Sequence, residues 1–181
     1  MTTKKISLLV CGSQKFEDRA FVFGMLNQLY QQTNHSITDI HTSEFAGACR
    51  YAREWVELTN SDLRDNKKII HHNCTFDMHL ATQNLSFYEE ADLPEIIIRN
   101  DPFFQKGKEL LGEKKVNVVL PFPNEQGIMG AATRNIQRFA DLGGIRVLNC
   151  VEAYQLLKNF RNKVESSSDF DGLKNHHGMK R

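Results

Sequence analysis

Between Lys115 and Val147 the chain passes from an apolar run, Val116 to Leu120, into the loop Pro121-Phe122-Pro123-Asn124-Glu125-Gln126-Gly127-Ile128-Met129-Gly130. An amphipathic segment then opens at Ala131 and gives way at Gly143-Gly144 to Ile145-Arg146-Val147. Strand, loop, helix and strand in that order form the repeating unit of a parallel sheet, because parallel neighbours need a crossover and a helix supplies it. The helix start of such a unit presents free backbone N–H groups at the sheet edge, where they suit an anionic ligand of nucleotide type.

The same alternation runs through the rest of the chain. Residues 6–11 are a continuous apolar run closed by Gly12-Ser13, and Phe21, Met25, Leu26 and Leu29 then recur at helical spacing. Asp18 stands just ahead of them and suits an N-terminal cap. Ile37 to Thr42 reads as a second strand, and Gly47 precedes a helix with Ala48, Tyr51, Ala52 and Trp55 on one face. Ile69 to His72 reads as a third strand, followed by a polar, helix-compatible stretch over 76–91 and an element of either type over 95–101. Pro102 suits the first turn of a helix through Leu111, Val116–Leu120 is a strand, 131–142 a helix, Arg146–Leu148 a strand and Val151–Phe160 a last helix. The expected fold class is α/β: a Rossmann-like three-layer sandwich with a mainly parallel sheet of about five strands, formed by residues 1–165. Residues 166–181, opening on three serines, are expected to be a polar, mobile tail.

Composition narrows the function classes. With 181 residues and 40% hydrophobic content the chain supports one core of ordinary size. The 23 basic and 22 acidic side chains nearly cancel, so no global field draws it to nucleic acid or to an anionic membrane. The run Ile6 to Val10 is too short for a secretory leader, and no stretch reaches the roughly 20 apolar residues of a membrane span. A cytoplasmic protein is expected. Cys11, Cys49, Cys74 and Cys150 form no CxxC pair and read as buried small hydrophobes, not disulfides. His71-His72, Cys74 and His79 show no metal-ligand spacing, and adjacent strand residues face opposite ways, so neither a metal nor another cofactor is expected.

In open α/β sheets ligands bind beyond the carboxyl ends of the strands, at the switch point. That rule gathers Gly12, Ser13 and Gln14, the Ser43–Gly47 loop, and the loop from Pro123 to Thr133. Four stretches there resemble a known family: Val10-Cys11-Gly12-Ser13-Gln14-Lys15-Phe16-Glu17-Asp18-Arg19, Phe45-Ala46-Gly47-Ala48-Cys49-Arg50-Tyr51-Ala52-Arg53-Glu54-Trp55, Ile98-Arg99-Asn100, and Ala132-Thr133-Arg134 through Gly143-Gly144-Ile145-Arg146-Val147. In order and rough spacing, over about residues 6–150, they resemble the YpsA-related branch of the SLOG superfamily. These are Rossmann-like domains that bind or process nucleotide derivatives. The resemblance implies ligand contacts at Gly12, Ser13, Gln14, Gly47, Arg99, Asn100, Gly127, Gly130 and Thr133, and a homodimer.

The departures are specific. The family's Gly-Gly-Ala-Arg-Gly-Ala-Asp loop is here Ser43-Glu44-Phe45-Ala46-Gly47-Ala48-Cys49, and its short Pro-Gly-Gly-x-Gly-Thr loop is stretched, with only Gly127 and Gly130 between Pro123 and Thr133. The glutamate that assists glycosidic cleavage in the LOG phosphoribohydrolases is replaced after Thr133 by Arg134-Asn135-Ile136-Gln137. Glu44 or Glu125 would have to supply the catalytic carboxylate. Individual residues keep ordinary alternatives. Gly12-Ser13 is also good turn chemistry, Thr133 also suits a helix cap, and Arg99 also suits a snorkelling surface position. Three functions follow: a sensor or sequestering domain for a nucleotide, dinucleotide or ADP-ribose-like ligand; a divergent nucleoside-monophosphate phosphoribohydrolase; or a homodimeric scaffold paired through a face such as Phe21/Met25/Leu29. Scattered lysines make no nucleic-acid patch.

Overall fold

A computed structural model describes residues 5–43, 46–74, 102–113 and 115–174. Among the described residues five strands form one sheet: β1 (Ile6–Gly12), β2 (Ile37–Thr42), β3 (Ile70–Asn73), β4 (Val118–Phe122) and β5 (Arg146–Val147). The helices described are α1 (Arg19–Gln32), α2 (Ala48–Ser61), α3 (Pro102–Gly112), α4 (Ala131–Leu142) and α5 (Cys150–Lys174), with a 3-10 turn at Asp65–Lys67. The strand order is β3-β2-β1-β4-β5, and every neighbouring pair is parallel. The chain therefore winds outward from β1 to β3, then restarts beside β1 at β4 and winds the other way. This is the Rossmann-like three-layer fold expected from the alternation.

Side-chain alternation along β1 splits the core in two. Leu8 and Val10 face α1, α2 and the start of α5, packing with Leu26, Leu29, Ile40, Ala52, Trp55, Leu120, Phe122 and Tyr154. Leu9 and Cys11 face the opposite layer, packing with Leu110 and Leu111 of α3 and Ile136 and Ala140 of α4. Both faces of β1 and β4 are covered, which is why these strands read as continuous apolar runs. Phe21 and Leu29 are buried in the first layer and Met25 packs against it. The α1 face suggested for pairing with a second copy is thus spent on the core.

Several boundaries differ from the sequence reading. The fourth strand starts two residues late because Asn117 serves as a clamp on β1: its amide Oδ1 accepts from Ser7 N at 3.1 Å, its Nδ2 donates to Lys5 O at 2.9 Å, and its own N donates to Ser7 O at 3.0 Å. The strand then continues through Pro121, which pairs with Cys11. β5 pairs only with Val118 and Val119, so the proline lies beyond its neighbour's ladder, where a missing N–H is tolerated. The last helix continues past Phe160 to Lys174 and carries its backbone across the serines assigned to a tail. The segments read over 76–91 and 95–101, and residues 175–181, lie outside the described residues. No helix among the described residues is long and apolar enough to cross a membrane.

Candidate functional site

The switch point lies between β1 and β4, whose ends are joined by the pairing of Gly12 with Phe122. Gly12 is there for contact between elements: a Cβ on it would lie 2.8 Å from Phe122 Cβ, 2.9 Å from Phe122 O and 3.3 Å from Ala48 Cβ. The glycine lets the end of β4 and the start of α2 close against the end of β1. Below this junction Phe16, Phe21, Phe122 and Tyr154 interlock with ring centroids 5.0 to 6.2 Å apart, largely edge-on or tilted. The α1/α5 side of the switch point is filled by these rings.

Gly47 ties the second loop to the first. Its φ of +69° and ψ of −140° belong to a region reserved for glycine, and a Cβ would fall 2.2 Å from Ser13 O and 3.0 Å from Gln14 C and O. Ser13 is 2% exposed; its Oγ accepts from Lys15 N at 3.1 Å and its carbonyl accepts from Phe16 N at 3.3 Å. Of the two alternatives for Gly12-Ser13, the turn is what the hydrogen bonds display. Gln14 is exposed beside it. Behind Gly47, Arg53 of α2 donates to Ser43 O, and Thr42 Oγ1 donates to the same carbonyl at 3.1 Å. Thr42 Oγ1 also shares a hydrogen bond with His71 Nε2 at 2.8 Å. Burial, with the neighbouring Arg53 charge, holds the His71 pKa below its ordinary value.

The third loop is organised by Asn124. Its Oδ1 accepts from Gln126 N at 3.0 Å and Ile128 N at 2.9 Å, and its backbone closes the turn with Gly127 N donating to Asn124 O at 2.9 Å. Gly127, at φ +83°, abuts Gln155 of α5, and Lys158 donates to Glu125 O at 2.8 Å. This insert leans on α5. Gly130 is the N-cap of α4 in extended backbone, and Thr133 is the third helical residue, 5% exposed. The capping role considered for Thr133 is therefore corrected: the helix begins at Ala131, leaving the threonine inside the first turn. Arg99, Asn100 and Glu44 lie outside the described residues.

Asp18 caps α1 as expected, its Oδ1 accepting from Phe21 N at 2.9 Å, while its Oδ2 receives Arg161 of α5 at 2.5 Å. α5 thus binds both the first and the third loop. Sequence reasoning missed Arg53, Asn124, Lys158 and Arg161. Only Asn124 left a local signal, the turn-forming Pro123-Asn124 pair; the others act across the fold.

Neither α2 nor α4 has a side-chain cap hydrogen bond or an acidic residue in its first turn, so neither helix start carries a carboxylate of its own against the positive end of its dipole. Among the described residues no group of three or more His, Cys, Asp and Glu side chains is placed to hold a metal ion. Comparison with known proteins gives no matching family model, no matching curated protein and no matching solved structure, so the functional reading rests on the residues and the fold.

Proposed function

We propose that the chain binds an anionic, nucleotide-derived small molecule at the carboxyl edge of its sheet, as a sensor or sequestering domain. The observation that carries this is the pair of uncapped helix starts, Gly47 before α2 and Gly130 before α4, opening from strands on both sides of the switch point with no carboxylate in either first turn. Backbone N–H groups at such positions suit phosphate oxygens. The SLOG resemblance favours the same edge and ligand class and, with it, a homodimer, which sizing in solution would check. The missing carboxylate after Thr133 favours binding over turnover.

The test is a thermal-shift screen against nucleoside mono-, di- and triphosphates, NAD and ADP-ribose, with each mixture analysed for released base. A ligand at 100 times its dissociation constant adds about 2.7 kcal/mol, which raises the melting temperature by about 5 to 10 °C for a chain of this size. Arg134→Glu, at an exposed position on the first turns of α4, is expected to leave the protein folded while repelling the ligand. A shift unchanged in that variant removes the α4 start from the site. Released base would favour the phosphoribohydrolase, with Glu44 and Glu125 the first carboxylates to replace, and no shift with any compound would refute the proposal.

A further inference from the structure

On the sheet face opposite α1 and α2, the β1–β2–β3 half carries a polar cluster unconnected with the carboxyl edge. His41 and His72 are direct partners in the β2–β3 ladder, and their rings stack with centroids 4.5 Å apart and planes 12° from parallel. His41 Nε2 lies 3.2 Å from Ser7 Oγ of β1, and His72 Nε2 lies 2.7 Å from Asp39 Oδ1 of β2. Asp39 Oδ2 also receives the Thr38 hydroxyl at 2.7 Å. His41 is 8% exposed, whereas the side chains of His72 and Asp39 are 41% and 30% exposed.

One proton fits this arrangement and two do not. A proton on His72 is matched by Asp39. A second on His41 would be buried, stacked on an imidazolium, and within the field of Lys106 on α3, itself paired with Glu109 at 2.7 Å. Ser7 on β1 brings no charge, and on the other face of β3 His71, beside Arg53 and Glu57 of α2, adds no net relief. Burial first, and then the neighbouring His72, lower the His41 pKa to about 4 from an ordinary 6.5. At Asp39 burial works against the carboxylate, but hydrogen bonds from His72 and Thr38 outweigh it and hold its pKa down.

We propose that the stacked His41–His72 pair, anchored by Ser7 and Asp39, is a pH-sensitive clasp on the edge strand β3, closed while one imidazole at most is charged and opened by uptake of the second proton. β3 suits such a role because it is four residues long and, among the described residues, pairs with β2 alone. The closed form takes the His41 proton far less readily than the open form. The open fraction therefore begins to rise near pH 6.5 and approaches a limiting tenfold gain per pH unit below that, levelling off near pH 4 where the closed form takes up the proton too.

The experiment is amide hydrogen exchange of the full chain between pH 7 and 4.5, corrected for intrinsic exchange rates, with the histidine ring signals titrated by NMR from pH 8 to 3. Protection at Ile70–Asn73 is expected to fall about 40-fold between pH 6.5 and 4.5 while Val10 and Leu120 stay protected. His41→Phe, which keeps a flat ring for the stack, is expected to remove that dependence. His72→Gln, which removes the neighbouring charge, is expected to raise the His41 midpoint toward 6.5 and weaken the dependence. If His41→Phe does not fold, the His41 midpoint in His72→Gln decides alone. Protection at β3 that does not change with pH, an unchanged dependence in His41→Phe, or an unmoved His41 midpoint in His72→Gln would each overturn the clasp.

Discussion

Replacing Gly47 by alanine is the sharpest trial of how the two carboxyl-edge loops are held together. Two costs add. A non-glycine residue at φ +69°, ψ −140° costs about 1 to 3 kcal/mol in backbone strain. The new Cβ, 2.2 Å from Ser13 O, must also push a backbone carbonyl whose turn to Phe16 fixes it, and such overpacking costs about 1 to 3 kcal/mol more. The expected destabilisation is therefore about 2 to 6 kcal/mol, against a total of roughly 5 to 15 kcal/mol for a domain. Gly24→Ala is the matched control. It lies inside α1 with nothing within 4 Å of a Cβ, so it should stabilise by about 1 kcal/mol through helix propensity. Urea unfolding followed by far-UV circular dichroism would give midpoints moving in opposite directions at constant slope. A Gly47→Ala variant within about 0.5 kcal/mol of wild type would show that the contact of Gly47 with Ser13 does not hold the loops, an error threshold set by ordinary surface substitutions.

Three further outcomes are expected. Asp18→Ala, which loses both the α1 cap and the partner of Arg161, should cost about 1 to 2 kcal/mol in the same assay, and Asp18→Asn less because its side-chain oxygen can still cap; equal losses would assign the effect to the ion pair. The folded-state pKa of His41 is depressed, so the unfolded chain binds more protons between pH 6.5 and about 4. Stability should then fall as pH drops through that window, by at most about 3 kcal/mol at 1.36 kcal/mol per unit, with Phe at position 41 flattening the curve. All four cysteines are buried, and burial pushes the Cys74 and Cys150 thiols up to about 11 and about 12, so a thiol reagent at pH 8 should label none of the four until denaturant is added. Prompt labelling of the native protein would contradict the packing around β1 and α5.

The sequence by itself determined which segments are strands and helices in the described parts of the chain, because periodicity and capping act over a few residues. The apolar run through Leu9 and Val10, the helical spacing of Phe21, Leu26 and Leu29, and the cap at Asp18 are all local signals, and the alternation they form admits a parallel, doubly covered sheet. Boundaries were less legible where a distant partner sets them, as Asn117 does by bonding β1 and so delaying β4. Only the tertiary structure decided what these loop residues touch. Gly12 and Ser13 carry the same letters whether they cradle a ligand or close a junction; Phe122, Ala48 and Gly47 fill the space around them, and those contacts come from other parts of the chain. The hold of Arg161 on Asp18, 143 residues away, and the stacking of His41 on His72 exist because strand order and register bring those side chains together, which no short-range pattern encodes.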